Sequence, residues 1–345
     1  MSHAQPPEAL GVRRPTLNAV AARAGVGRGT VSRVINGSPK VSDRSRAAVE
    51  KAIAELGYVP NRAARSLATR RTDAVALVVP EAESRLFAEP YFSGIIRGAS
   101  ARLTHAGMQL LLVLARDGRK HRRLASYLTA QRVDGVLMVA VHRDDTLPDL
   151  LDELSVPTVL AGRRGDPEPL GHVRADNGGG ARSAVQHLLD RGRRTVATIT
   201  GPLDMDVART RLDGYREALR TAGVAVEEEL IEPGDFTEEG GRAAMRELLR
   251  RRPGLDAVFA ASDVMASGAV LELRAAGRRI PDDVAVVGFD DSIVARHIDP
   301  PLTSVRQPME EMGRAMADLL LDEIAGRAGR REVVLPTRLV VRESA

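Results

Sequence analysis

From about residue 73 onward, short apolar runs alternate with amphipathic segments, and this rhythm leaves few folds open. The strand-like runs are AVALVVP (74–80), MQLLLVLA (108–115), VDGVLMVA (133–140), VPTVLAG (156–162), TVATITG (195–201), LDAVFAAS (255–262) and VAVVGFDD (284–291). Most are followed by helix-compatible stretches such as 91–105, 178–191, 207–222 and 263–276. Apolar runs buried on both faces and separated by helices predict βα units and a parallel sheet. About 270 residues of this pattern exceed one mononucleotide-sized half. Two doubly wound parallel-sheet lobes with a crevice between them account for the length.

Residues 16–56 have a different character, with three short helices in the 3.6-residue period. Thr16 caps LNAVAARA, which Gly25 ends; a second helix carries Thr30, Val31, Val34 and Ile35 and stops at Asn36-Gly37. The third starts at the Ser42 cap, repeats Val49, Ile53 and Leu56, and ends at Gly57, with Pro60 beyond it. NRAARSLA (61–68) is a further helix-compatible piece, too short to be stable alone. The organisation is thus a disordered arm (1–15), a helical head (16–60), a hinge and linker (61–71) and a two-lobed body (72–345).

Charge divides the same way. Residues 1–71 carry 13 Arg and Lys against 4 Asp and Glu, while the remaining 274 carry 37 against 42. A basic head on a mildly acidic body is the footprint of a polyanion-binding module. There is no cysteine, so a disulfide scaffold, a thiolate metal site and a cysteine nucleophile are excluded. No run approaches the ~18 apolar residues of a membrane span, and MSHAQPPEALGVRRP lacks the apolar stretch of a secretory signal. These features predict a cytoplasmic protein with no membrane partner.

AGVGRGTVSRVING (24–37) could cradle a phosphate or present side chains to DNA. A dinucleotide fingerprint needs Gly-x-Gly-x-x-Gly after a strand, with an acid ~20 positions on. Here Thr30 stands at the third glycine, the preceding segment is helical, and Asp43 belongs to a helix cap. A helix-turn-helix explains more: Gly25 permits the turn, Val31, Val34 and Ile35 face inward, and Arg28, Gly29, Ser32 and Arg33 are left for a major groove. Gly27 and Gly29 would let the backbone approach DNA, and Thr or Ser hydroxyls can bond phosphate.

The stretch TLNAVAARAGVGRGTVSRVINGSPKVSDRSRAAVEKAIAELGYVPNRAARSL resembles the DNA-binding head of the LacI/GalR family of bacterial regulators. The likeness continues through HLLDRGRRTVATITGP, RLDGY, FAASDVMASGAV, VAVVGFDDS and PPLTSVRQP, nearly the whole chain. Gly27-Arg28-Gly29 departs from the serine and bulkier residues often found there, which bears on base preference. The resemblance implies an all-α helix-turn-helix head and a periplasmic-binding-protein-like α/β sensor. It implies a homodimer on a palindromic operator, with Leu17, Gly27, Arg28, Gly29, Thr30, Ser32, Arg33, Asn36, Asn61, Ala64, Arg65 and Leu67 at DNA. Residues 61–68 would be a hinge helix, with Leu67 wedged into a minor-groove step; a linker leucine packing on its own domain is the alternative. RLVVRESA ends the chain without leucine heptads, predicting a dimer rather than a tail-assembled tetramer.

Asp290 ends a predicted strand, at the carboxyl edge where α/β ligand sites form. In similar repressors the residues matching Arg211 and Asp290 bond ligand hydroxyls, and a stacking aromatic stands near Phe236. With Phe87, Tyr91, Ser262 and Gln307 these residues suit a small sugar, whose C–H faces stack while its hydroxyls bond. Phe259 and Phe289, inside strand runs, are assigned to packing. AEPYFSGI and GDFTEEGGRAAM are similar to actinobacterial members that answer to cellobiose or related β-glucosides. The glycines of DNGGGARSA (176–184) are read as easing a chain crossing, and the seven histidines as surface residues without metal spacing. No cofactor or metal is implied and no enzyme signature is present. The predicted function is a sugar-responsive repressor, with a sugar receptor lacking any DNA role as the alternative and a nucleotide-dependent enzyme third.

Overall fold

The computed structural model describes residues 15–35, 38–58, 71–81, 86, 89–115, 121–130, 132–327 and 332–345. These form two compact units, one within Met1–Thr72 and one spanning Asp73–Ala345.

The head is built from α1 (Leu17–Ala24), α2 (Arg28–Ile35) and α3 (Asp43–Leu56). Thr16 Oγ1 accepts from the Ala19 N–H at 3.2 Å, and Gly25 ends α1 at φ 64°. Ser42 caps α3, and Gly57 ends it at φ 59°. Both glycines hold the left-handed conformation that closes a helix without a Cβ penalty. Val20, Val31 and Val49 are fully buried with Ala21, Val34, Ala52 and Tyr58. Each buried valine contributes on the order of 1.5–3 kcal/mol, enough for a small three-helix core. An Arg23–Glu55 ion pair ties α1 to α3.

The body contains two six-stranded sheets. The first includes β1 (Ala74–Val79), β2 (Gln109–Leu114), β3 (Gly135–Met138), β4 (Thr158–Ala161) and β5 (Gly171–Ala175). The second includes β6 (Val196–Thr200), β7 (Ile231–Pro233), β8 (Ala257–Ala260), β9 (Ala285–Asp290) and β10 (Thr303–Arg306). β11 (Glu332–Leu335) returns to the first sheet and β12 (Arg338–Val340) to the second. The orders are β11-β5-β4-β3-β1-β2 and β12-β10-β9-β8-β6-β7. All pairings are parallel except β12 against β10.

The chain crosses between sheets three times: before α7 (Asn177–Asp190), before α12 (Met309–Ile324), and between β11 and β12. The other body helices are α4 (Pro90–His105), α5 (His121–Thr129), α6 (Leu147–Glu153), α8 (Asp206–Thr221), α9 (Glu238–Arg251), α10 (Asp263–Ala275) and α11 (Ile293–His297).

One expectation needs correction. The run at β2 is no doubly buried strand: β2 is an edge, with Leu111, Leu112 and Leu114 exposed at 44%, 46% and 37%. An edge strand is hydrogen-bonded on one side only, and among the described residues β2 pairs with β1 alone. The glycines after Asp176 stand where the chain enters the second lobe, and one of them also permits close packing there. A Cβ on Gly180 would meet Thr337, Val305 and Phe289, and one on Gly214 of α8 would come within 2.4 Å of the Gly178 carbonyl oxygen.

Candidate functional site

On the head, α2 turns Val31 and Val34 inward. Arg28, Gly29 and Arg33 are exposed, as is Gly27; Thr30 and Ser32 are half-buried. Nothing stands within 4 Å of a Cβ built on Gly27 or Gly29, so this surface is open to a partner backbone. Leu17 is half-buried and packs on the head core. Asn36, Asn61, Ala64, Arg65 and Leu67 lie outside the described residues.

In the body, the carboxyl ends of both parallel sheets open on one cleft of about 790 Å³, mouth included. Tyr91, Arg211, Phe236, Ser262, Asp290 and Gln307 all line it. Phe87 lies outside the described residues.

Arg211, on α8, is only 3% exposed. Its Nε donates to Asn177 Oδ1 at 2.9 Å and its Nη1 to the Ala261 carbonyl. Nη1 also lies 3.8 Å from Asp290 Oδ1, and the guanidinium stacks 3.7 Å over the Phe289 ring. Burial pushes the Arg211 pKa down, opposed by the Asp290 charge.

Asp290 sits at φ 113° and Asp291 at φ 50°, two successive left-handed residues without glycine. The surroundings over-determine that turn. Asp291 accepts from Arg306 Nε at 2.5 Å and pairs with Arg342. The fully buried Asp263 accepts from Ser304 Oγ at 2.5 Å and the Ser292 N–H at 2.7 Å. Asp290 itself accepts from Gln307 Nε2 at 2.6 Å. Burial raises its carboxyl to about 6, against the lowering pull of Arg211 and the Gln307 hydrogen bond. Burial also lifts Asp263 well above the carboxylate range, with the Asp290 charge adding to it.

Tyr91 begins α4 and meets Phe92 edge-on at 5.5 Å; burial raises its phenol pKa, so it stays protonated. Phe236 adopts φ 66° and is buried, its ring resting on Gly201, where a Cβ would come within 2.1 Å. Ser262 is the cap of α10, accepting from the Met265 N–H at 3.1 Å, so its oxygen is engaged and its O–H is what it can offer.

Several lining residues stand outside the stretches singled out above: Arg163, Arg174, Met205 and Asp206; Asn177 lies in DNGGGARSA, noted only for its glycines. Arg163 could have been found by the rule that selects Asp290, since it too follows the end of a strand. Arg163 Nε meets Asp206 Oδ2 at 3.1 Å across the cleft. Elsewhere between the lobes, His142 Nδ1 lies 2.6 Å from Asp204 and Nε2 3.3 Å from Glu81, joining the two lobes a second time. Its pKa is raised to about 9, chiefly by the hydrogen bond to Glu81, with Asp204 adding to it against partial burial. The histidines are not all superficial: His121 and His172 are buried. Among the described residues no group of three His, Cys, Asp or Glu side chains could hold a metal ion, and no helix is long and apolar enough to cross a membrane.

Residues 16–61 match the bacterial regulatory proteins of the lacI family, and residues 185–345 match the periplasmic binding protein-like domain. The chain is 58% identical over 335 residues to the HTH-type transcriptional regulator CelR of Thermobifida fusca, covering 96% of this chain and 98% of that one. It is 33% identical to the HTH-type transcriptional repressor CytR of Escherichia coli, covering 95% and 96%. Among solved structures it is similar to a transcriptional regulator CelR–cellobiose complex (56% identity, TM-score 0.78, 96% and 100% covered). It is also similar to the lac repressor dimer bound to operator and the anti-inducer ONPF (28% identity, TM-score 0.85, 96% and 99% covered).

Proposed function

This chain belongs to the lacI family of bacterial regulatory proteins, and from that premise we propose that cellobiose or a close β-glucoside, held in the body cleft, sets its grip on a palindromic operator. It is a DNA-binding repressor under sugar control and not an enzyme. The reading as a sugar receptor without a DNA role is set aside by the match over the head.

The observation that carries the effector assignment is the convergence of Arg211, Asp290 and Gln307 with Tyr91 and Phe236 in one cleft. Fixed donors and acceptors beside two aromatic rings suit a polyol with apolar C–H faces. Charge supports a neutral sugar over a phosphorylated one. Among the described lining residues, Arg163, Arg174 and Arg211 are balanced by Glu89, Asp206 and Asp290. Closure of the lobes on the sugar changes which state of the body is populated, and differential affinity for two states is how an effector acts.

At DNA, Arg28, Gly29, Ser32 and Arg33 enter the major groove, with Gly27 and Thr30 beside the backbone. Leu17 and Asn36 complete the head contacts. The hinge at 61–71, with Asn61, Ala64, Arg65 and the Leu67 wedge, rests on the sequence resemblance alone. A second copy of the chain covers the apolar edge of β2, since an uncovered edge of three leucines is an aggregation hazard. A dimer matches the operator-bound relative. The protein acts in the cytoplasm, where its operator lies.

The test is release of the full-length protein from promoter DNA, read by fluorescence anisotropy while cellobiose, methyl β-glucoside, lactose, maltose and glucose 6-phosphate are titrated. Cellobiose is expected to alter operator affinity at the lowest concentration. Indifference to every β-glucoside, with a response to a phosphorylated sugar, would overturn the assignment.

A further inference from the structure

The cleft has a second polar pair besides Arg211 and Asp290. Arg163 follows β4 in the first lobe, and Asp206 opens α8 in the second. Both are half-buried and both line the cleft. Their contact at 3.1 Å crosses from lobe to lobe. Each has a local partner as well: Arg163 Nη1 lies 3.0 Å from Asp166, and Asp206 lies 3.5 Å from Arg209 and 3.4 Å from Thr210 Oγ1. Although burial opposes the charge, the bonds to Asp206 and Asp166 outweigh it and raise the Arg163 pKa, so the guanidinium is permanent.

Asp206 and Arg211 stand on the same helix, five residues apart. At 1.5 Å rise per residue, their Cα atoms stand about 7.5 Å apart along the helix axis, and both side chains line the cleft. One hexose ring anchored at Arg211, Asp290 and Gln307 leaves the Arg163–Asp206 end unfilled. A ring joined to it reaches that end. There a guanidinium and a carboxylate side by side offer donors and an acceptor to adjacent hydroxyls, each of which both donates and accepts.

We propose that Arg163 and Asp206 form a subsite for a second sugar ring, and that this pair selects a disaccharide over a monosaccharide. This rests on the reading of the cleft as a neutral-sugar site. The same pair makes the selection a lobe-to-lobe event, because the second ring's hydroxyls contact a group from each lobe. A one-ring ligand would occupy the Arg211 end without engaging this bridge.

The experiment measures binding of cellobiose and of methyl β-glucoside to the full-length protein by calorimetry, for wild type, Arg163→Gln and Asp206→Asn. Circular dichroism and operator binding confirm that each variant is folded. Wild type is expected to prefer cellobiose. Each variant is expected to lose roughly ten- to a hundredfold in cellobiose affinity while its methyl β-glucoside affinity stays within about twofold, so that selectivity collapses. Equal losses for both sugars would make the pair a closure contact and overturn the proposal, as would unchanged selectivity. A wild-type protein that binds neither sugar would instead overturn the neutral-sugar reading on which the proposal stands. If Arg163→Gln fails to fold, Asp206→Asn alone decides, since it removes charge while keeping the side-chain shape.

Discussion

Arg211 lies flat on the Phe289 ring, 3.7 Å from its centre, while its edge bonds Asn177 and the Ala261 carbonyl. A strand phenylalanine that packs the second lobe therefore also sets the plane of the buried cation. Phe289 is fully buried and meets Phe259 edge-on at 6.4 Å, so that plane is anchored in the core. Lysine cannot reproduce a stacked, forked contact. Arg211→Lys is expected to hold operator affinity while raising the sugar needed for release roughly ten- to a hundredfold. Operator affinity and sugar titration on one preparation check this; lost soluble yield with lost operator binding would return Arg211 to a scaffold role.

The raised Asp290 carboxyl gives the effector response an acid limit. Its folded pKa, about 6, exceeds its ordinary value of 3.8. Its protonated form thus favours the fold, and that stability is lost as pH rises through about 6. Sugar binding that uses the carboxylate runs the opposite way, weakening about tenfold per unit below pH ~6. Calorimetric affinities from pH 5 to 7.5 should show this slope in wild type and none in Asp290→Asn.

His142 sets a limit at the alkaline side. Its pKa rises from 6.5 to about 9, so the imidazolium bridge between Glu81 and Asp204 is fully present below pH 6.5 and fades as pH rises through 9. Thermal melts of wild type should lose stability across that window, whereas His142→Gln should start lower and lose less. Parallel melting curves for the two proteins would remove His142 from the contact between lobes.

At the β2 edge, Leu112→Lys puts a charge into the surface assigned to a second copy of the chain. The dimer dissociation constant is expected to rise at least about tenfold, or ~1.4 kcal/mol. Sedimentation velocity over a concentration series measures it. An unchanged dimer would place the interface elsewhere.

Arg33→Ala tests the head. Loss of an exposed α2 guanidinium is expected to weaken operator binding by about 1–3 kcal/mol and relax base preference at one position. Cellobiose affinity should stay at the wild-type value. Measurements at one fixed salt concentration separate this from a change in nonspecific attraction.

How far the sequence reveals the molecule depends on what each residue needs from its neighbours. β1 and β9 are legible because AVALVV and AVVGF are runs without a charged residue, and both are buried on both faces apart from the half-buried Asp290. β11 and β12 hold only short apolar stretches among Glu and Arg, and their strand character comes from the sheet edges they join. The same dependence hides the exposure of β2, whose composition matches a buried strand. Asp290 could be picked from the end of an apolar run, whereas Asp206 could not. Its role depends on Arg163, 43 residues earlier in sequence, and only the paired lobes bring them together. Asp263 and Asp291 show how the turn bearing Asp290 is held, which no local pattern encodes.

The three chain crossings make each lobe a mosaic of distant segments. The first lobe takes β11 and α12 from near the carboxyl end, and the second takes β12 from residues 338–340. A chain emerging from the ribosome therefore cannot complete the first sheet when β5 appears; it must wait for nearly all of the second lobe to be made. The head has no such debt, because its core is local to residues 17–58. During synthesis the DNA-reading helices can be folded long before the sugar site exists. A truncation that removes only β11 and β12 should leave a chain able to build its head but neither sheet in full, so head folding and completion of the body are separable steps.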